Sequence, residues 1–352
     1  MIREAIAKLV EKENLTWEEA EKSMREIMEG EATQAQIASF LTALRMKGET
    51  VEEITSLAKT MKTYCRKVNP KVSSTLIDTC GTGGDRVKTF NISTVSAFVV
   101  AGAGVNVAKH GNRSVTSICG SADLLEALGL NLNTPAETVE ESIEEIGIGF
   151  MYAPNFHPAM KHAVTPRREI GFRTVFNILG PLTNPADTEA QVIGVYDRYL
   201  TEPVAEVLGN LGLKQAMVVH GLDGLDEIST IGATKISWLR DGEITTFTVE
   251  PERFEMRRVQ PEMLQVRSLR ESVEATIKIL RGLCRIGDPK LDIVLLNAAA
   301  GIVVGGEAED LEEGLKIAEE SIDSGAAYEK LVGLIEKSGG DPSKIGGLRD
   351  AT

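Results

Sequence analysis

The chain has 352 residues, 42% hydrophobic but only 5% aromatic, enough to bury a largely aliphatic core in two or three domains. Its net charge of -14 weighs against non-specific binding to nucleic acid or acidic membrane, because counterion release needs a basic face that this composition does not supply in bulk. Residues 1–12 (MIREAIAKLVEK) carry charges throughout, no run approaches the ~18 apolar residues of a spanning helix, and Cys65, Cys80, Cys119 and Cys284 form no CxxC pair, so a soluble cytoplasmic protein with reduced thiols is expected.

Residues 1–69 read as four short helices. Thr16-x-x-Glu19, Thr33-x-x-Gln36 and Thr50-x-x-Glu53 are capping boxes, in which the threonine oxygen and the acidic or amide side chain satisfy orphan backbone donors reciprocally. Gly30 and Gly48 stand where the second and third helices stop, and Ile37, Phe40, Leu41 and Leu44 give the third one apolar stripe. Asn69-Pro70 closes this part, since proline biases its predecessor away from helix. The expected division is a small all-helical N-terminal domain, 1–70, and a larger α/β domain, 71–352. No internal repeat or low-complexity linker separates them, so they should be joined tightly.

After Pro70 strands alternate with helices. Leu76-Ile77 opens a short apolar run ending at a glycine turn, Asn91 to Ala103 reads as a helix, and Val105 to Ala108 reads as a strand leading to a second turn. Further strands are expected at 149–152, 192–196 and 216–219, and a hairpin around Arg240-Asp241-Gly242-Glu243. From Leu291 the chain is helical again, with Leu295, Ala298, Ala299 and Ile302 facing inward. Apolar strands separated by helices imply a mostly parallel central sheet flanked by helices on both faces.

Within this pattern the stretch Asp78 to Asp123 collects glycine turns, small hydroxyl residues and four cations in an otherwise acidic chain, as an anion site would. Gly81-Thr82-Gly83-Gly84-Asp85 follows a strand, where backbone N–H groups and a helix N-terminus can cradle phosphate; alone it reads more readily as a tight strand-to-helix turn, being neither a Walker A loop nor GxGxxG. Asn91-Ile92-Ser93-Thr94 offers an amide and two hydroxyls at a helix start, where simple N-capping is the plainer role. Lys109-His110-Gly111-Asn112-Arg113-Ser114 repeats the strand-to-turn arrangement and adds two cations, which after a strand often form a solvated rim but here accompany two other anion-seeking loops and are read as part of the site.

GTGGD, NIST, KHGNRS and GSAD, in this order and spacing, resemble the anthranilate phosphoribosyltransferase family. The likeness continues through His157-Pro158-Ala159-Met160-Lys161-His162, Arg167-Arg168-Glu169, the run Asn177 to Pro185 and His220 to Glu227, and so spans essentially the whole chain. The resemblance implies the fold of the class II nucleoside phosphorylases, a homodimer, Mg2+ as cofactor, 5-phosphoribosyl 1-diphosphate and anthranilate as substrates, and a place in tryptophan biosynthesis. It further implies that the segment near 165–187 packs with the helical domain. Carried onto matching positions, the diphosphate sugar meets Gly81, Thr82, Gly83, Gly84, Asp85, Asn91, Ser93, Thr94, Lys109 and Ser121. Ser93, Asp226 and Glu227 hold magnesium. Gly81, His110, Asn112, His157, Arg167 and Gly180 line the anthranilate path, and Lys109 is the residue expected to act in catalysis. His162 and His220 are read as structural. The chain departs from the family's usual pattern at Arg86-Val87-Lys88 and at Thr116 to Cys119.

Residue chemistry agrees with this placement. Magnesium favours a few carboxylates together with phosphate oxygens, and would offset repulsion between an acidic protein and an anionic substrate. A planar guanidinium at Arg167 matches a benzoate carboxylate through two parallel hydrogen bonds. The expected reaction is displacement at the anomeric carbon, the aromatic amine, already neutral at pH 7, attacking as diphosphate leaves. Two alternatives stand beside it: a pyrimidine nucleoside phosphorylase on the same fold, needing no magnesium clamp, and a non-catalytic nucleic-acid-binding relative.

Overall fold

A computed structural model describes residues 1–84, 87–114 and 118–346. Helices α1 (Ile2–Val10), α2 (Trp17–Met28), α3 (Gln34–Lys47) and α4 (Val51–Thr63) form the N-terminal bundle. Thr16, Thr33 and Thr50 each accept from the backbone of Glu19, Gln36 and Glu53, whose side chains return the bond. The third box does more than cap. Glu53 is fully buried and also takes the Leu15 N–H at 2.8 Å and the Lys47 ammonium at 2.8 Å, tying the start of α4 to the end of α3 and to the connection before α2. Gly48 ends α3 at φ 91, a backbone region open to glycine at little cost. Helix α4 stops at Thr63, before the expected close at Asn69-Pro70. The intervening chain is drawn out instead by Arg66 and Val68, whose N–H groups bond the Phe156 and Pro185 carbonyls at 2.8 and 3.2 Å.

The remaining elements alternate as the pattern requires: β1 (Leu76–Gly81), α5 (Ile92–Gly102), β2 (Asn106–Gly111), α6 (Ser121–Ala127), α7 (Ala136–Ile146), β3 (Ile148–Tyr152), α8 (Ala153–Phe156), α9 (Lys161–Ile170), α10 (Phe176–Leu182), β4 (Ala190–Gly194), α11 (Thr201–Asn210) and β5 (Gln215–Gly221). The hairpin β6 (Thr234–Arg240) and β7 (Glu243–Val249) turns at Asp241-Gly242, and α12 (Pro261–Leu264), α13 (Leu269–Leu280), α14 (Pro289–Val304), α15 (Leu311–Asp323), α16 (Ala326–Lys337) and α17 (Ser343–Gly346) follow.

Among the described residues the strands make one seven-stranded sheet, ordered β3-β2-β1-β4-β5-β6-β7. The first five are parallel, and β6 and β7 close one edge antiparallel. Side chains alternate between faces, as a two-residue period demands. Val192, Met217 and Val219 enter the core under α5, α14, α15 and α16, while Ile193, Ala216 and Val218 enter a second core. That second core contains the four N-terminal helices together with Ala163, Val175, Phe176, Ile178, Leu179 and Leu182, so α9 and α10 share the bundle's interior although they follow three strands in sequence. The expected strand at 192–196 runs instead over 190–194; past Gly194 only the Val195 N–H stays on β5, at 2.9 Å from the Val219 carbonyl, and Tyr196 turns to the loop after β1.

The chain order places a functional crevice. It winds from β1 outward to β3, then returns to start β4 on the other side of β1, so the carboxyl ends of β1 and β4 flank a topological switch point, where open α/β sheets bind ligands. Gly81 and Gly194 pair there.

Candidate active site

The loop leaving β1 is fixed by backbone contacts from distant parts of the chain. The Thr82 N–H donates to the Gly194 carbonyl at 2.9 Å, and Thr82 Oγ1 accepts from the Tyr196 N–H at 3.1 Å. The Gly83 N–H donates to Asp226 Oδ2 at 2.8 Å, and the Arg173 guanidinium donates to the Gly84 carbonyl. Gly83 and Gly84 both have positive φ, 69 and 82, which only glycine adopts in succession without strain. A Cβ at Gly81 would press on the Asp226 carboxylate, so the small residues let the chain approach the acidic turn. Asp85, expected to contact the diphosphate, and Arg86 lie outside the described residues.

Helix α5 does not start directly after this loop but only at Ile92, and its start meets the second carboxylate: the Ser93 N–H donates to Glu227 Oε1 at 3.2 Å. Asn91 is not the side-chain cap that its position invites. Its Nδ2 donates to the Cys119 carbonyl at 3.0 Å and its Oδ1 accepts from Ser272 Oγ at 3.1 Å. Thr94 is buried. Burial pushes the Asp226 carboxyl up, and the Gly83 N–H opposes that shift. Among the described residues no three His, Cys, Asp or Glu side chains cluster to form a complete cage. Two carboxylates beside a hydroxyl and a phosphate-type loop instead match magnesium, which keeps waters and completes its shell with substrate phosphates. Ser93, Asp226 and Glu227 therefore fit the ion expected from the sequence.

Lys109 on β2 is not the solvated rim residue its position after a strand allows. It is 3% exposed, and its ammonium donates to the Thr79 carbonyl at 2.6 Å. Burial lowers its pKa, while the charges of Asp78 and, more weakly, Glu227 hold it up. Asp78 is wholly buried, accepts from Asn184 Nδ2 at 2.8 Å and the His110 N–H at 3.3 Å, and is pushed up to about 6 by burial. Arg113, by contrast, is on the rim, paired with Asp123 at 2.9 Å and Glu126 at 2.8 Å. Ser121 starts α6 and donates to the carbonyl of the exposed Asn112 at 3.3 Å. Val115 to Ser117 lie outside the described residues, and with them the first two positions of the Thr116 to Cys119 departure from the family pattern.

His110 and His157 come together with ring centroids 5.0 Å apart. Burial lowers His110 to about 3 and His157 to about 4, against hydrogen bonds to the backbone of Gly180 and Thr183. Both rings are neutral at physiological pH, and both Nε2 atoms are buried without a hydrogen-bond partner. Arg167, on α9, stacks at 5.0 Å over Phe176, and burial lowers its pKa. Among the described residues no carboxylate lies within ion-pair distance of it, so a half-buried guanidinium fork is open to an anion. His220 Nδ1 lies 2.7 Å from the Val195 carbonyl, and His162 packs on Gly30, where a Cβ would collide with its ring; both are held by structure. Arg173 was not singled out in the sequence, although it lies between two recognised motifs.

The two halves of this constellation differ in chemistry. Loop 81–84, the start of α5 and the Asp226-Glu227 turn combine amide donors with carboxylates, which suits a metal-bound diphosphate. The neutral imidazoles and Arg167 suit an aromatic acid.

Models of the "Glycosyl transferase family, helical bundle domain" and the "Glycosyl transferase family, a/b domain" match residues 3–65 and 73–328. The anthranilate phosphoribosyltransferase of Acetivibrio thermocellus is 52% identical over 336 residues, 96% of each chain. That of Desulfosudis oleivorans is 49% identical over 96% of this chain and 98% of its own. Among solved structures, anthranilate phosphoribosyltransferase from Thermus thermophilus superposes with a TM-score of 0.89 at 40% identity, covering 95% of this chain and 99% of that one. The Saccharomyces cerevisiae enzyme in complex with PRPP (5-phosphoribosyl 1-diphosphate) and Mg gives 0.88 at 28% identity, over 96% and 98%, and its complex with 4-fluoroanthranilate gives 0.86 at 28%, over the same shares.

Proposed function

The chain belongs to the anthranilate phosphoribosyltransferase family, and on that premise we propose that it transfers the 5-phosphoribosyl group of 5-phosphoribosyl 1-diphosphate to the amine of anthranilate, releasing diphosphate, in tryptophan biosynthesis. The observation that carries this reading is the pairing of Asp226 with the Gly83 N–H and of Glu227 with the Ser93 N–H. It sets a two-carboxylate turn against the glycine loop and the helix start, an arrangement that a phosphate-using nucleoside phosphorylase does not need.

In this reading Gly81 to Gly84, Asn91, Ser93, Thr94 and Ser121 receive the diphosphate sugar, with Asp85 beside them. Ser93, Asp226 and Glu227 would hold magnesium, which would supply charge neutralisation for the leaving diphosphate. Lys109 acts from beneath: its ammonium fixes the Thr79 carbonyl and adds positive potential below the loop in a water-poor setting, where fixed charges are most effective. Arg167 grips the anthranilate carboxylate with both arms of its fork. His110 and His157, uncharged, offer Nε2 to the ring's amine side, with Asn112 and Gly180 alongside. The arylamine is neutral at pH 7 and needs no base to become a nucleophile, so orientation of the two substrates supplies much of the rate.

The helical part, 1–70, and the α/β part, 71–352, act in this scheme as two bodies whose approach excludes water. The exposed apolar Val10 (64%) and Met46 (80%) of the bundle are surface that a homodimer would cover, and the cytoplasm is the compartment that fits free thiols. The test is fluorimetric. Anthranilate emission should fall only when 5-phosphoribosyl 1-diphosphate and magnesium are both present; decay without metal, or none at micromolar enzyme, would overturn the reading.

A further inference from the structure

Arg173 has no place among the residues assigned above, yet it sits where the two halves of the site meet. It lies between α9, which carries Arg167, and α10, which carries Gly180. Gly171 ends α9 in the left-handed conformation, and Thr174, whose N–H bonds Asn177 Oδ1 at 3.1 Å, leads into α10. Arg173 is thus held from both sides on a short, shaped connection. Its guanidinium lies 4.6 Å from the Tyr196 ring and donates to the Gly84 carbonyl. Tyr196 in turn donates its own N–H to Thr82 at 3.1 Å, so the ring that carries the guanidinium is anchored to the loop that the guanidinium binds. No carboxylate lies within ion-pair distance of Arg173 among the described residues, although its charge reaches Asp226 and favours that carboxylate's ionised form.

We infer that Arg173 is a positioning residue for the diphosphate loop, holding the Gly84 carbonyl so that the Gly84 N–H, unlike those of Thr82 and Gly83, which bond the Gly194 carbonyl and Asp226, is left to face the substrate. The inference rests on the reading of loop 81–84 as the diphosphate cradle. A carbonyl oxygen facing a diphosphate would repel it; bound to a cation its dipole is offset, leaving the Gly84 N–H unopposed. Gly83 and Gly84, both at positive φ, have no side chains to stop this peptide from turning over, so the constraint must come from outside the loop. A Cβ at Gly84 would collide with the guanidinium. The loop's shape and the arginine's place therefore depend on each other. Because Arg173 shares its segment with Arg167 and Gly180, it also ties the acceptor-binding segment to the donor-binding loop.

Arginine is required here for its shape. A lysine ammonium can reach a carbonyl but cannot stack flat on Tyr196 while doing so. Arg173→Ala should raise the KM for 5-phosphoribosyl 1-diphosphate and the calorimetric Kd for inorganic diphosphate with magnesium by about tenfold or more, the loss of one charge-assisted hydrogen bond. The calorimetric Kd for anthranilate alone should stay within about twofold, and millimolar guanidinium should restore part of the diphosphate affinity. Arg173→Lys, the milder change, should show a smaller loss in the same two quantities, and it carries the test if the alanine variant does not fold. Unchanged diphosphate affinity in a folded variant would overturn the inference while leaving the activity assignment standing. An equal loss for anthranilate, with no rescue by guanidinium, would reduce Arg173 to a fold-stabilising residue. Failure of the unsubstituted protein to bind diphosphate at all would instead strike the reading of the loop.

Discussion

The buried histidine pair gives the most quantitative handle on the site. His110 and His157 are neutral in the folded protein, with pKa lowered from 6.5 to about 3 and about 4. The unfolded chain releases both to ordinary imidazole behaviour, so it binds more protons than the native state wherever the pH is below 6.5. Stability from this source is fully present above the unfolded pKa and is lost as pH falls toward the folded values. At pH 5 each ring costs about 2 kcal/mol relative to neutral pH, because one unit of pKa difference is worth about 1.4 kcal/mol. Together that is a large fraction of the ~5–15 kcal/mol that stabilises a typical domain. Urea unfolding between pH 8 and 5, followed by tryptophan fluorescence, should show a steep loss of stability, and a His110→Gln/His157→Gln double variant should flatten that slope. Histidine ring proton resonances offer the direct check: two should hold their neutral shifts down to pH 5. If all four titrate near 6.5, or if the double variant keeps the unsubstituted slope, the account of a dry, uncharged acceptor pocket is wrong.

Three further outcomes follow from named contacts. Arg167→Ala should raise the anthranilate KM by about 10- to 100-fold, since a hydrogen-bonded charged pair is worth about 1.5–3 kcal/mol, while the KM for the diphosphate sugar changes little; steady-state kinetics with each substrate varied would show whether the loss is confined to one. Asp226→Asn keeps an acceptor for the Gly83 N–H, 2.8 Å away, but removes a charge, so the protein should fold with an unchanged Tm and need much more magnesium for half-maximal rate. Glu53→Ala leaves the Lys47 ammonium, 4% exposed, without its counter-charge, with only Asn14 Oδ1 still accepting from it, and should cost about 3–5 kcal/mol, seen as a large fall in Tm by calorimetry.

Much of the fold was legible because its signals are local. The three threonine capping boxes, the glycines ending helices and the alternation of apolar strands with helices each act within a few residues, and the elements follow them. What the sequence concealed was pairing at a distance. Gly83 and Asp226 stand 143 positions apart, Asn91 and Ser272 181 apart, and Arg173 and Gly84 89 apart. Asn91 reads as a helix cap because its place before α5 is typical of one; tertiary partners on both ends of its amide override that use. Lys109 is expected at the anion site, but nothing near it in sequence reveals that it is buried or that Asp78 lies close to its ammonium. The residues that follow β4 look like more strand, yet Tyr196 leaves it to serve the glycine loop. The candidate site was legible as a set of residue types through family resemblance, whereas its internal wiring was not.

We propose that a glycine loop and a carboxylate turn jointly hold a metal-bound diphosphate while a separate pocket holds anthranilate. Isothermal titration of 5-phosphoribosyl 1-diphosphate into the unsubstituted protein, with and without magnesium, and with anthranilate fluorescence read in the same samples, tests it most directly. Tight binding that requires the metal is expected, followed by loss of anthranilate emission with one diphosphate released for each anthranilate consumed. Metal-independent binding, or binding without consumption of anthranilate, would contradict it.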